Sequence, residues 1–264
     1  MNQARFGVIL LVLIAVSAVF APQLTGHDPI KPDYRARYVG PSSEHPLGTD
    51  GLGRDVLARS LAGGRVSLVV ALSATLLTFA LGASLGILAA GVGGATDLLL
   101  SRVFDALLAF PGFLLILIVV ATLGGGSLQT VMAMGVAGAP VFFRLARSFT
   151  RQELRSEYVT AARALGAGRG RQLLRHAVPN FLGSVVVQMA STAAAFLLVE
   201  ASLSFLGLGV PLPTPSWGNV LQDARSYLTT QPWAAVGPGL FLAGASLSFQ
   251  FMSDGLRDVL DRRS

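Results

Sequence analysis

An all-α, polytopic membrane protein with six transmembrane helices is the fold this sequence predicts, and three observations carry the prediction. A chain of 264 residues that is 52% apolar and 13% charged, with a mean hydropathy of +0.62, is too hydrophobic for an ordinary soluble domain and too short for more than one membrane domain. Its apolar stretches run for about twenty residues, the length a helix needs to cross the hydrocarbon, whereas a barrel would show short alternating segments. In the second half, polar residues gather into one long island between Arg144 and Asn180.

Taken in order, residues 1–24 form an N-terminal transmembrane helix. Phe6 to Ala21 is free of charge and follows a short basic start. A cleavable signal ending at Val19-Phe20-Ala21 is the other reading of this stretch; a retained span is expected. Residues 25–65, rich in Pro, Gly and paired charges, form an extracytoplasmic segment. Residues 66–253 form a five-helix core. Its spans are Val66 to Val92, which carries Gly82 and Gly86 at the spacing that lets helix backbones approach in lipid; Ala106 to Leu123, with Pro111; Leu128 to Phe143, with Pro140; Leu182 to Val199; and Trp233 to Met252, with Pro238. Asp97, Arg102 and Asp105 mark a short connection, and Gly124-Gly125-Gly126-Ser127 a tight turn. Glu200 to Pro232 is a loop, and residues 254–264 are a cytoplasmic tail.

Six spans put both termini on one side. Eight arginines lie between Arg144 and Arg175 against Glu153 and Glu157, a local net of +6 that equals the formal charge of the whole chain. With Arg5, Arg102 and the tail arginines they make 13 of the 20 basic residues, so the basic bias places the island and both termini in the cytoplasm of a bacterial inner membrane. Between membrane helices such a patch reads as a topology signal or lipid-facing stripe, and no nucleic-acid partner is expected.

On a helix beginning near Arg144, Arg144, Arg147, Arg151 and Arg155 form one stripe able to snorkel toward anionic lipid headgroups. Leu154, Tyr158, Ala161 and Leu165 form a separate apolar stripe. Gly166-Ala167-Gly168 breaks the helix, and a second short helix from Arg169 is expected to stop at Pro179. The small residues Ala161, Ala162 and Ala164 at the bend would permit close docking into another protein's groove. An interfacial amphipathic helix without a partner is the alternative.

Glu157 to Gly166, EYVTAARALG, followed by Arg175 to Asn180, RHAVPN, resembles the EAA loop of the membrane subunits of bacterial ABC importers. The resemblance implies the type I importer transmembrane fold and a coupling helix seated in a cleft of the ATPase subunit. Ala161, Ala162 and Gly166 match the Ala-Ala-x-x-x-Gly core and Pro179 its terminal proline, with Tyr158 in the same segment. Thr160 stands where the pattern has its first Glu, so the acidic contact is either missing or supplied by Glu157 one turn earlier. His45 to Val56 (HPLGTDGLGRDV), Asp105 to Pro111, Glu200 to Gly209 (EASLSFLGLG), Pro215 to Gly218 and Asp254 to Asp258 resemble the peptide and nickel importers within that family. They fit the C-type subunit, which pairs with a B-type transmembrane subunit, two cytoplasmic ATPase subunits and an extracytoplasmic solute-binding protein.

The chain's only lysine, Lys31, lies outside any Gly-Lys-Ser/Thr sequence, so no phosphate-cradling loop is present. ATP and Mg are then bound by partner subunits, with no cofactor and no catalytic residue in this chain. His27, His45 and His176 are scattered along the sequence and no metal site is expected. For the solute path, Gln188, Thr192 and Ala195 share one face of the fifth span with Ser191 beside them; this face is predicted to point into the bundle or a cavity, lining a path or packing helices. Glu200 ends the same span as a further path candidate. Readings from other classes are an ion-coupled secondary transporter acting alone, which would need ionisable residues within its spans, and a non-transport membrane scaffold.

Overall fold

The computed structural model describes the backbone of residues 2–173 and 178–261 and the side chains of residues 3–173 and 183–260. Its helices are α1 (Asn2–Val19), α2 (Ala21–Thr25), α3 (Val56–Val92), α4 (Gly94–Leu108), α5 (Gly112–Leu123), α6 (Ser127–Glu153), α7 (Glu157–Ala164), α8 (Arg169–Gln172), α9 (Val178–Phe205), α10 (Trp217–Arg225) and α11 (Trp233–Asp261). Among the described residues no strand forms; a single antiparallel bridge joins Thr49 to Asp55. Four helices, α3, α6, α9 and α11, are long and apolar enough to cross a membrane. The α4–α5 pair reaches that length only as one broken span bent by 87°, and α1 is a shorter apolar helix. All six expected apolar segments are therefore helical.

The core is a seam between α3 and α6, the most extensive helix pair in the fold. The two run in the same direction and keep register in steps of four residues. A Cβ on Gly82 would lie 2.3 Å from Ala139 O, and one on Gly86 would lie 2.5 Å from Phe143 O. One turn earlier, Thr78 Oγ1 donates to Gly135 O at 3.2 Å. Glycine costs a helix about 1 kcal/mol relative to alanine, and here that cost is offset by backbone approach in an environment where packing and interhelical hydrogen bonds, not water release, hold helices together. The Gly82–Gly86 spacing in the sequence thus marks this interface.

Antiparallel to α11 lies α1, whose Gly7 leaves no room for a Cβ against Ser248 O (2.6 Å), while Gly255 is equally closed by Ala4. Phe6 and Phe251 meet edge to face with centroids 5.7 Å apart. Helix α9 packs between α11 and α3. These directions bring the start of α1 and the end of α11 to the same end of the bundle as α7 and α8.

Several expected boundaries move. Helix α3 begins at Val56 rather than Val66, inside the stretch read as solvated, because Asp55 caps it: its Oδ1 accepts from Ala58 N–H at 2.6 Å. The third span does not run straight from Ala106 to Leu123. Asp97, Arg102 and Asp105 lie on helix α4, and the turn at Pro111, which lacks an N–H and disfavours helix before it, separates α4 from α5. The fourth span does not end at Phe143; nothing from there to Glu153 breaks a helix, and Pro140 is accommodated inside α6. The loop after the fifth span contains α10, which opens on a capping box in which Ser216 and Asn219 exchange hydrogen bonds.

Candidate functional site

Where α6 ends, Leu154 to Ser156 turn the chain into α7, with Tyr158 Oη donating back across the break to the Glu153 carboxylate. Helix α7 is eight residues long and buries one side chain, Val159. The remainder is uncovered: Glu157, Tyr158, Thr160, Ala161 and Gly166 are exposed and Ala162 is half-buried. Leu165, at 90% exposure, is the extreme case. The break after α7 is built by Gly166 at φ +89°, a conformation that costs residues with a Cβ. No heavy atom lies within 4 Å of where a Cβ would sit on Gly166, Gly168 or Gly170, so none of the three serves close packing among the described residues.

The loop is also held at the end of its described residues. Gln172 is buried and its Nε2 donates to Ala167 O at 2.7 Å, while Leu173 lies on Gly91 at the end of α3, where a Cβ would approach Leu173 Cδ1 to 2.6 Å. The α7–α8 segment is therefore connected to the core seam from two sides, through the chain of α6 and through Leu173 onto α3. Leu173 and Gly91 did not stand out in the sequence; apolar residues flanking a polar island are the only signal they give. Helix α8 ends at Gln172 and α9 begins at Val178, so Pro179 falls in the first turn of the next helix, where proline is tolerated, and does not stop α8. Its side chain, like Arg175 and His176, lies outside the described residues.

The arginine stripe has acidic partners within the chain that the sequence did not reveal. Arg147 forms a two-pronged pair with Asp97 (2.5 and 3.0 Å), Arg151 joins the same carboxylate, and Arg144 Nη2 reaches Asp105 Oδ1 at 2.8 Å. Three of the four arginines thus pair the end of α6 with α4. Their acids were read as a connection, and the pairing spans about fifty residues of sequence, so neither partner reveals the other.

On α9, Gln188, Ser191 and Thr192 are half-exposed and Ala195 is exposed, whereas Val185 and Phe196 are buried. The polar face therefore turns away from this chain's own core. Gln188 Nε2 donates to Thr192 Oγ1 at 3.3 Å and borders a cavity of about 300 Å³ with Ser184, Phe149 and Arg257. Glu200 is not on that face. It is 0% exposed, its Oε1 accepts from Ser204 Oγ at 2.7 Å, and Ser204 Oγ in turn accepts from Val210 N–H at 3.1 Å.

At the opposite end of the bundle from α7, the segment His45 to Arg59 ties itself to α10. Asp50 Oδ1 accepts from Leu52 and Arg54 N–H (2.8 and 3.0 Å), and its Oδ2 pairs with Arg54 Nε at 2.7 Å. Arg54 and Arg59 both reach Asp223 of α10, at 3.1 and 2.9 Å. Burial pushes the Asp223 carboxyl above its ordinary value, against the pull of Arg59 and Arg54; burial likewise raises Tyr227. Trp217, fully buried, donates from Nε1 to Ser60 O at 2.9 Å. Removing one member of such a buried charge set leaves the others uncompensated. Arg59→Met is therefore expected to destabilise the chain by about 3 kcal/mol, read as a lower melting temperature in detergent; an unchanged melt would show that this cluster does not hold α10.

The histidines are not all scattered. The rings of His27 and His45 lie 4.7 Å apart, with Glu44 beside them, so the fold gathers three possible ligand residues that are apart in the sequence. Sequence reading missed this because the sixteen residues from 28 to 43 must fold back on themselves to bring His27 to Glu44-His45.

Comparison with known proteins identifies the family. Residues 82–264 match the family described as binding-protein-dependent transport system inner membrane component. The dipeptide transport system permease protein of Alkalihalophilus pseudofirmus is 38% identical over 98% of this chain and 85% of its own length. A putative peptide permease protein of Brucella suis is 38% identical over 99% of this chain and 87% of its own. The oligopeptide transport system permease protein of Bacillus subtilis is 36% identical over 98% and 85% respectively. The chain belongs to the family of inner membrane components of binding-protein-dependent transport systems, the transmembrane permease subunits of ABC importers.

Proposed function

We propose that this chain is the C-type transmembrane subunit of an ATP-driven peptide importer and that α7 is its coupling helix. The carrying observation is the uncovered surface of α7: a helix with Leu165 almost wholly exposed and only Val159 buried is supported by little of its own chain and suits a groove on a partner. Peptide as solute rests on the relatives, which are named as dipeptide, oligopeptide and putative peptide permeases. In this reading a B-type transmembrane subunit, two cytoplasmic ATPase subunits that bind ATP and Mg, and an extracytoplasmic solute-binding protein complete the importer, and this chain hydrolyses nothing itself. Both termini and α7 lie in the cytoplasm, the orientation the basic bias favours.

Mechanistically, closure of the ATPase pair moves α7, and the movement passes along α6 and through Leu173 on Gly91 into α3. The half-exposed face of Gln188, Ser191 and Thr192 then meets the partner membrane subunit across the solute path, while Glu200 anchors the loop at the far end of α9. Because the chain has no cysteine, a single Ala161→Cys provides a clean test. With cysteines placed along the cleft of the ATPase subunit, oxidation is expected to yield a disulfide-linked pair. Failure at every cleft position, with Val159→Cys equally unreactive, would remove the coupling assignment.

A further inference from the structure

We propose that His27, Glu44 and His45 form a binding site for a divalent transition-metal ion of the Zn²⁺ class, with one coordination position left open. The inference is independent of the solute and of the coupling assignment. Each of the three residues offers one ligand atom, and the three atoms lie within 4.8 Å of one another. Ligands at about 2.1 Å in a tetrahedral site sit about 3.4 Å apart, so the set must contract, and the exposed Glu44 can close the gap by rotating about its side-chain bonds.

Two details distinguish this cluster from packed histidines. His45 Nδ1 is 2.9 Å from Asp55 Oδ2, and the other oxygen of that carboxylate is fixed as the cap of α3. Donation from Nδ1 leaves the Nε2 lone pair of the neutral imidazole free, which is the carboxylate–histidine arrangement that orients a metal ligand. His45 is further set by a turn in which its N–H donates to Ser42 Oγ and its carbonyl accepts from Gly48 N–H. The second detail is His27 Nδ1, which is buried and has no hydrogen-bond partner. A buried polar nitrogen without a partner carries a desolvation cost, and a metal ion would remove it.

The three residues line a cavity of about 550 Å³ together with Asp28, Lys31 and Asp33, roomy enough for water or a donor atom from a solute at the open position. Two imidazoles and one carboxylate suit Zn²⁺, Ni²⁺ or Cu²⁺, whereas Mg²⁺ and Ca²⁺ prefer oxygen sets. Bound there, the ion would join the chain after α2, where Gly26 turns it in the left-handed region, to the segment that caps α3. The site is thus a staple between the first apolar helix and the core seam.

The test uses the full chain, purified in detergent without a histidine tag; with three histidines and no cysteine, the background is low. Titration with ZnCl₂ against a chromophoric chelator is expected to show one saturable equivalent and a raised melting temperature, with no response to MgCl₂. His27→Ala and Glu44→Gln should each weaken binding at least tenfold. Asp55→Asn, which keeps a competent helix cap, should weaken it about 10- to 100-fold as a positioning residue. The proposal is overturned if Zn²⁺ does not saturate at one equivalent, or if the affinity survives His27→Ala or Asp55→Asn. Fold loss in the variants is excluded by requiring the metal-free proteins to melt with the parent.

Discussion

Ala161→Trp is expected to leave the chain inserted and folded while cutting solute uptake at least about tenfold. The first half of this expectation follows from exposure: Ala161 lies on the open surface of α7, so an indole there can extend into open space. The second half follows from the partner. A docked interface built around a small residue accommodates a bulky one only by separating, at about 1–3 kcal/mol, and 1.4 kcal/mol already corresponds to a factor of ten. ATP hydrolysis by the assembled subunits should persist or rise without driving transport. Gly166→Val works differently, since open space surrounds the position but φ is +89°; its cost of about 1–2 kcal/mol is backbone strain, which tilts α7 relative to α8. Measured uptake in vesicles equal to the parent for Ala161→Trp would refute the docking role. A loss accompanied by a lowered melting temperature would refute the premise that the residue faces outward.

The parts of this molecule that were legible in the sequence are those whose physics is local in the chain. Apolar runs long enough to cross the hydrocarbon gave the spans, and the spacing of Gly82 and Gly86 pointed to a close helix contact that proved to be the seam with α6. The bend at Gly166 was equally readable, because a left-handed residue between two short helices demands glycine. What the sequence concealed depends on partners far along the chain. Arg147 and Asp97 read separately as a lipid-facing charge and a connecting acid, and only the fold brings them into one ion pair. His27 and His45 are likewise separated until the chain after Gly26 turns back. Helix α10 was hidden for another reason: its short polar sequence is set among prolines and glycines, and its capping residue Asn219 replaces the more familiar Glu or Gln of a capping box.

Gly82→Leu is expected to break the seam between α3 and α6, destabilising the chain by about 3 kcal/mol or more. A Cβ alone would lie 2.3 Å from Ala139 O and 2.8 Å from Phe142 Cβ. The first is backbone and the second is fixed to it, so no rotation relieves the contact and the helices must part. Gly239→Leu supplies the control, because no heavy atom lies within 4 Å of its added Cβ and a leucine there gains helix propensity. Melting of the two variants in detergent should diverge, with Gly82→Leu poorly folded and Gly239→Leu at or above the parent; coincident melts would refute the seam. The consequence extends to coupling, since α6 leads directly into α7 and α3 receives Leu173 at Gly91. Both connections to α7 and α8 therefore meet one interface, and on the proposed coupling role a milder wedge, Gly86→Ala, whose Cβ would sit 2.5 Å from Phe143 O, should reduce uptake before it prevents insertion.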